Sequence, residues 1–316
     1  MPIGRRRAWD DRGRSLVGSF LLCVTLVVLI GTPAEAAFPG GNGAIAFSRN
    51  DHIWIVRPDG TQVNLGRGAQ PAWSPDGTRI AYMHGPARRS DIWTMHADGT
   101  GKTAVTSGPA ADSSPGWSPD GTKILYASRS TWSSPDDLYT IRPVAPHGAP
   151  VALTDTADSE GHPVWSPDGT MIAFSRAFCI PTGCGLDVSA MSADGGDRIS
   201  LTDGARATDP DWHPDSVQLL FTGNEDNPYW DVNLTTVSSG GGYFRILIAG
   251  PLAANTSPAW SPDGSRFVFV HRNPGGRVSI QMADSDGSSI VRLCRGGGTD
   301  NFFGAFPDWQ PLPDAG

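Results

Sequence analysis

No stretch of the sequence carries apolar residues at the 3.6-residue spacing of an amphipathic helix, which sets helical folds aside. Basic residues are outnumbered, with 24 Lys and Arg against 32 Asp and Glu. A surface of that sign repels nucleic-acid phosphates and anionic lipid, so neither is expected as a partner. Catalytic signatures are missing too. There is no G-x-S-x-G nucleophile elbow, no H-E-x-x-H pair for zinc and no D-x-D-x-D-G loop for calcium.

Long apolar runs are scarce as well. The principal one, 16–30, is short for a membrane span. It follows a basic stretch holding Arg5, Arg6, Arg7, Arg12 and Arg14 and precedes Ala34-Glu35-Ala36, an A-x-A cleavage signal. Residues 1–36 are therefore expected to be a cleavable signal peptide. Residues 37–316 are expected to form one domain that is secreted or held in the periplasm or cell envelope, with no membrane insertion of the mature chain. Loss of the leader removes five arginines and the acids Asp10, Asp11 and Glu35, which takes the net charge from −8 to −10. Cys23 leaves with it, and Leu22 ahead of it is not the small residue a lipidation signal needs. In an oxidising compartment Cys179 and Cys184, separated by Ile-Pro-Thr-Gly, are expected to form a local disulfide, while Cys294 is expected to be a buried thiol.

What is present is a repeat. Trp73, Trp117, Trp165 and Trp260 each open the phrase Trp-Ser-Pro-Asp-Gly; Trp212 opens Trp-His-Pro-Asp-Ser and Trp309 the degenerate Trp-Gln-Pro. Successive tryptophans lie 44 to 49 residues apart. A period in the forties with turn chemistry in every unit is the signature of a β-propeller. Proline presets φ for the first corner of the turn, and glycine supplies the positive φ that returns the chain to the sheet. Alternating apolar runs such as Ile80-Ala81-Tyr82 and Ile172-Ala173-Phe174 follow each turn and read as strands.

Within the unit 71–106, four strands are expected at 71–75, 78–83, 91–96 and 102–106, with Asp98-Gly99 turning the third into the fourth. Residues 38–66 supply three strands without a tryptophan strand, and Trp309 begins a tryptophan strand with no successor. Joining the two completes a ring of six four-stranded antiparallel blades, the C-terminal strand pairing with the N-terminal blade. Closure removes the unpaired sheet edges of an open array.

The unit Pro-x-Trp-Ser-Pro-Asp-Gly, Ile-Ala-Phe, Asp-Ile-Trp, Ala-Asp-Gly, Leu-Thr resembles the PD40, or WD40-like, repeat of the TolB family of six-bladed propellers, over about residues 38–312. The resemblance implies a periplasmic propeller that binds other proteins of the cell envelope. The separate α/β domain that precedes the propeller in that family is not expected between Ala37 and the first blade.

The tryptophans and turn residues are explained by packing and turn geometry, so candidate functional residues lie in the variable loops. Short repeated turns fall on one face, the bottom, and longer variable loops on the other, the top. The loops leading into the innermost strands ring the channel mouth and carry Asp112, Glu160, His162, Asp209, Asn255 and Asp300. Such a mouth could accept a cationic segment of a partner or hold a Ca²⁺ ion; no other cofactor is expected. The remaining top-face loops carry arginine and aromatic residues, including Arg88, Arg89, Trp132 and Trp230, of the kind protein interfaces favour. The expected function is that of an exported, monomeric, non-enzymatic scaffold binding a protein or cell-envelope partner through its top-face loops. The alternative is an extracellular polysaccharide lyase or hydrolase that uses top-face acids and a histidine-bound metal, His162 among its ligands.

Overall fold

A computed structural model describes residues 41–181, 183–223, 233–242, 244–249, 253–295 and 305–313. The expected leader, 1–36, lies outside them, as do Asp300 and Trp230. Among the described residues 24 strands form six four-stranded antiparallel sheets, with no helix. The sheets take the chain in order, innermost strand first, except where the ring closes. There Asp308–Leu312 pairs with Gly41–Arg49, followed outward by His52–Val56 and Gln62–Arg67. Ile45 lies opposite Trp309 and Gly41 opposite Leu312. We number this the first blade; the second to sixth begin with Ala69–Trp73, Ala111–Trp117, Ser159–Trp165, Thr208–Trp212 and Ala254–Trp260.

Each repeat tryptophan is between 1% and 7% exposed, because it packs against the preceding blade. Trp73 sits with Ile53 and Ile55 of the first blade, and Trp165 with Leu125 and Leu138 of the third. Six such apolar clusters fill the six joints between neighbouring blades. A propeller is held together at these joints, since no blade can bury both of its faces alone.

The repeated turn satisfies its own polar groups. In the second blade Ser74 Oγ donates to Asp76 Oδ1 (2.6 Å), which also accepts the backbone N–H (3.0 Å) and hydroxyl (2.9 Å) of Thr78. Gly77, at φ 65°, closes the turn by donating its N–H to Ser74 O (2.8 Å). The same arrangement recurs around Asp120, Asp168 and Asp263. Burial alone would raise these carboxyls, but the hydrogen bonds from serine and threonine outweigh it and hold all four below the usual range. In the fifth blade His213 replaces the serine and Ser216 takes the left-handed φ of 60° without being glycine.

The outer strands depart from the expected lengths for a legible reason. In the second, third and fourth blades they shrink to Thr103–Ala104, Val151–Ala152 and Ile199–Ser200. There Thr106, Thr154 and Thr202 place a hydroxyl where the ladder carbonyl would stand, accepting the N–H of Ile92 (2.9 Å), Leu138 (2.7 Å) and Val188 (2.9 Å). The blades without that threonine run longer, as in Gln62–Arg67, Arg245–Ile248 and Val291–Arg295. Short edge strands present little unpaired backbone to other chains.

Closure has its own clasp. Gln310, where four other units have the turn serine, accepts Ala44 N–H at Oε1 (3.1 Å) and donates from Nε2 to Gly77 O (2.8 Å), joining the first blade to the second. Cys294 is buried in the joint between the sixth and first blades. Cys179 and Cys184 stand directly opposite each other in the hairpin of Met171–Ile180 and Gly183–Ser192 and are disulfide-bonded.

Candidate functional site at the channel mouth

Five innermost strands contain X-Pro-x-Trp and in the first blade the phrase leads into Asp308–Leu312; in all six the X residue has a left-handed backbone: Gln70, Ser114, His162, Asp209, Ser257 and Phe306, at φ between 38° and 53°. In the second to sixth blades the pairing of the innermost strand with its neighbour breaks register at this point, forming a bulge. The proline after X lacks an N–H, which costs nothing where the ladder is already interrupted. Glycine is the residue that adopts positive φ freely; an L side chain there costs on the order of 1 kcal/mol. Six non-glycine residues therefore hold an unfavourable conformation at one level of the ring, and all six line the channel.

Backbone bonds fix that level. Gln70, Asp209 and Ser257 donate their N–H groups to Ser48 Oγ (2.8 Å), Ser175 Oγ (2.9 Å) and Thr222 Oγ1 (3.0 Å) on the preceding blade. Ser114 N–H goes to Gln70 Oε1 instead (2.8 Å), and Gln70 Nε2 donates to Ser114 Oγ (3.2 Å).

Side chains then meet across the mouth. His162 of the fourth blade and Phe306 of the first, three blades apart, stack with ring centroids 4.9 Å apart and planes 27° from parallel. His162 Nδ1 also lies 3.1 Å from Asp209 Oδ1, while Ser257 Oγ donates to Asp209 Oδ2 (3.2 Å). This is a Ser, Asp and His constellation in the wrong order for nucleophilic catalysis. In a hydrolytic triad the imidazole stands between hydroxyl and carboxylate to take the hydroxyl proton. Here the carboxylate is the hub and the imidazole does not reach Ser257.

The ring residues line a cavity of about 140 Å³, walled also by the six prolines, by the residues between proline and tryptophan, and by Trp73, Trp117 and Trp165. Two of the intervening residues are acids, Asp211 and Asp308; the others are Ala72, Gly116, Val164 and Ala259. Asp211 Oδ2 accepts Trp260 N–H (2.7 Å) and Asp308 Oδ2 accepts Trp73 N–H (2.6 Å), each reaching the next blade. Burial pushes Asp211 up to about 8, helped by the charge of Asp308, and burial pushes Asp308 up to about 7. Among the described residues three aspartates and one histidine line the channel, with no lysine or arginine.

Of the residues expected at the mouth, His162 and Asp209 are there, in contact. Asp112, Glu160 and Asn255 are not: all three stand five residues before their tryptophan, on the far side of the bulge, and are buried at 6%, 1% and 1% exposure. This corrects their expected place on an open rim. Asp112 Oδ1 accepts Ser128 Oγ–H (2.6 Å), and Asn255 Oδ1 faces His271 Nδ1 (2.8 Å). Glu160 Oε1 accepts Thr156 Oγ1–H (2.9 Å) and Arg198 Nη1–H (3.3 Å); burial raises its carboxyl above the usual range despite Thr154, Thr156 and Arg198. Among the described residues no three His, Cys, Asp or Glu side chains converge as a metal cage.

Sequence reading passed over Asp211, Asp308 and the ring residues Gln70, Ser114, Ser257 and Phe306. The signal was available: in X-Pro-x-Trp, x is small or apolar in four units and aspartate in two, and X differs almost everywhere.

Comparison with known proteins agrees with this architecture. The family described as PD40, TolB beta propeller domain, matches residues 60–250. The Tol-Pal system protein TolB of Anaeromyxobacter dehalogenans (strain 2CP-C) is 45% identical over 56 residues, which are 18% of this chain and only 12% of that protein. Among solved structures the chain is similar to TolB from Acinetobacter baumannii, with TM-score 0.71 and 20% identity over 87% of this chain and 68% of that one. It is also similar to a putative TolB from Agrobacterium tumefaciens, with TM-score 0.63 and 20% identity over 86% and 100%. Manganese-bound oligogalacturonate lyase aligns at TM-score 0.53 and 14% identity, over 83% of this chain and 75% of the lyase. At such identities the structural likenesses concern the fold.

Proposed function

Because the chain belongs to the TolB β-propeller domain family, we propose that it is an exported, non-enzymatic scaffold that holds a protein partner of the cell envelope at the mouth of its channel. The observation that carries this reading is the ring at the X position, where six strained backbones present six nearly all different side chains to one opening. Strain of this kind persists where the surroundings over-determine it, and it clusters at ligand clamps. The repeat could have used glycine at every X and does not.

The chemistry of the ring suits recognition. Gln70 and Ser114 offer a donor and acceptor pair, Asp209 a carboxylate, and His162 with Phe306 an aromatic stack. Among the described residues the channel walls carry carboxylates without lysine or arginine, which favours a partner group that is cationic or donates hydrogen bonds. Anaeromyxobacter TolB, a Tol-Pal system protein, supports an envelope partner by kinship.

The test is photocrosslinking in a cell-envelope fraction. A photoreactive side chain in place of Gln70 is expected to trap a discrete protein, and the same group in place of Thr100, on a bottom turn, is expected to trap none. Equal trapping from both places, or none from Gln70, would overturn the proposal.

A further inference from the structure

A second surface stands away from the channel. Trp132, in the loop between the second and third strands of the third blade, is 63% exposed, the most of any large apolar side chain described. Its loop is braced: Ser134 Oγ accepts Thr131 N–H (2.9 Å) and donates to Thr131 O (2.9 Å). Two guanidinium groups lie against the indole, Arg129 from the same blade (4.9 Å from the ring centroid) and Arg88 from the second blade (4.7 Å). On a chain of net charge −8, two cations sharing one aromatic ring are out of keeping with the rest of the surface.

Two arginines of the patch lack a close carboxylate. Neither Arg88 nor the adjacent exposed Arg89 has a carboxylate within 4.0 Å among the described residues, and Arg129 has only Asp136, at 3.6 Å from Nε. The acids nearby are already engaged. Asp136 Oδ2 accepts Ser159 Oγ–H (3.0 Å), Asp112 is buried against Ser128, and Asp137 Oδ1 accepts Thr156 N–H (3.1 Å).

From Trp132 the surface continues into a groove of about 790 Å³. One wall is Ser133, Ser134 and Pro135, and the other is the disulfide-bonded hairpin, with Phe178 and Leu186. Asp158 lines it but is held by Arg176 Nη2 (2.8 Å), whereas the exposed Arg206 has no carboxylate partner among the described residues. The hairpin strands have ten residues each, against five or six for their counterparts in the second and third blades, and the disulfide ties them near the tip.

We infer that Arg88, Arg129 and Trp132, with the adjoining groove, form a docking site for an acidic peptide segment of a protein partner, one that alternates carboxylates with apolar side chains. The carboxylates would meet the arginines, bidentate on a guanidinium fork, and the apolar side chains would cover the indole and Phe178. Charge complementarity selects the occupant: a basic segment would meet Arg88 and Arg206, which have no carboxylate partner among the described residues, while Asp136 and Asp158 already face Arg129 and Arg176. This site shares no residue with the channel mouth and stands or falls apart from it.

The experiment is fluorescence anisotropy with a labelled decapeptide of alternating glutamate and leucine, against its lysine and leucine counterpart, on the mature chain. Saturable binding of the acidic peptide is expected, weakened at least tenfold on raising salt from about 0.05 M to about 0.5 M. A comparable loss is expected in Trp132→Ala and in Arg88→Ala/Arg129→Ala, whose melting temperatures should match the parent because these side chains are exposed or partly so. Equal binding of the basic peptide, or acidic-peptide binding unchanged in the variants, would overturn the inference. So would displacement of the peptide by polygalacturonate at lower carboxylate concentration, which would reassign the patch to an acidic saccharide.

Discussion

Each innermost strand has two ends, and the molecule treats them differently. At the lower end the phrase Ser-Pro-Asp-Gly repeats unchanged in four of the six units, and there each aspartate spends its oxygens on the hydroxyls of its own turn. Three residues before each tryptophan, at the upper end, the side chains are Gln, Ser, His, Asp, Ser and Phe, and they bond to one another or to a neighbouring blade. The acids tell the same story. Hydrogen bonds hold the lower carboxyls below their usual range, whereas burial lifts Asp211 and Asp308 above it. Sameness from blade to blade marks what every blade needs to fold, and difference marks where, on the proposed reading, the blades act together on a partner.

The contrast is broken most severely at Gly77. Its φ of 65° is costly for any side chain with a Cβ, and a Cβ there would run into the backbone oxygen of Pro311, where the ring closes. Gly77→Val is expected to cost roughly 3 kcal/mol or more, read as a large fall in melting temperature. A loss below about 1 kcal/mol would show that the closing strand gives way easily.

Next in size is the response of the channel acids to pH. A carboxyl whose folded pKa is raised favours the folded state while protonated. Its contribution is fully present below the unfolded value near 3.8 and is lost as pH climbs through about 7 for Asp308 and about 8 for Asp211. Asp211→Asn/Asp308→Asn keeps an oxygen to accept the Trp260 and Trp73 N–H groups and carries no charge. Thermal melts at pH 5 and pH 9 should therefore show the parent losing stability relative to the double variant at the higher pH. Parallel curves would mean that the channel solvates both charges.

Smaller effects sharpen the comparison. Removing the closing clasp by Gln310→Ala is expected to cost about 1 kcal/mol in chemical denaturation, since one hydrogen bond within the first blade and one from it to the second are lost. Ser216→Gly is expected to add roughly 0.5–1 kcal/mol by giving the fifth turn the residue its φ of 60° favours. A loss of stability instead would show that the Ser216 hydroxyl, which accepts Asp168 N–H (3.0 Å), outweighs the backbone gain.

The fold was almost wholly legible in the sequence because a propeller is one local pattern written six times, and turns, strand alternation and closure all follow from residue chemistry at fixed spacing. The outer strands could have been trimmed from the sequence too, since Thr106, Thr154 and Thr202 mark where the ladder stops. The mouth was legible only in part. Glu160 and His162 are two residues apart and would share a face in a regular strand. The bulge separates them, sending Glu160 behind the mouth to Arg198 and His162 onto Phe306. Nothing in the loop composition announces a bulge; the pre-proline position does, once all six units are aligned on it. Asp211 and Asp308 were hidden for another reason. They sit inside the scaffold phrase, where the structural role of proline and tryptophan draws attention from the residue between them.

The most direct measurement compares Asp209→Ala, at the upper end of the fifth blade's innermost strand, with Asp168→Ala, in the turn at the lower end of the fourth blade's, for melting temperature and for capture of the photocrosslinked partner. Asp209→Ala should lose capture at least tenfold with its melting temperature nearly unchanged, and Asp168→Ala should lose roughly 1–3 kcal/mol of stability yet capture normally while folded. Capture that survives Asp209→Ala, or is lost in folded Asp168→Ala, would contradict the division between a lower end that builds the ring and an upper end that binds.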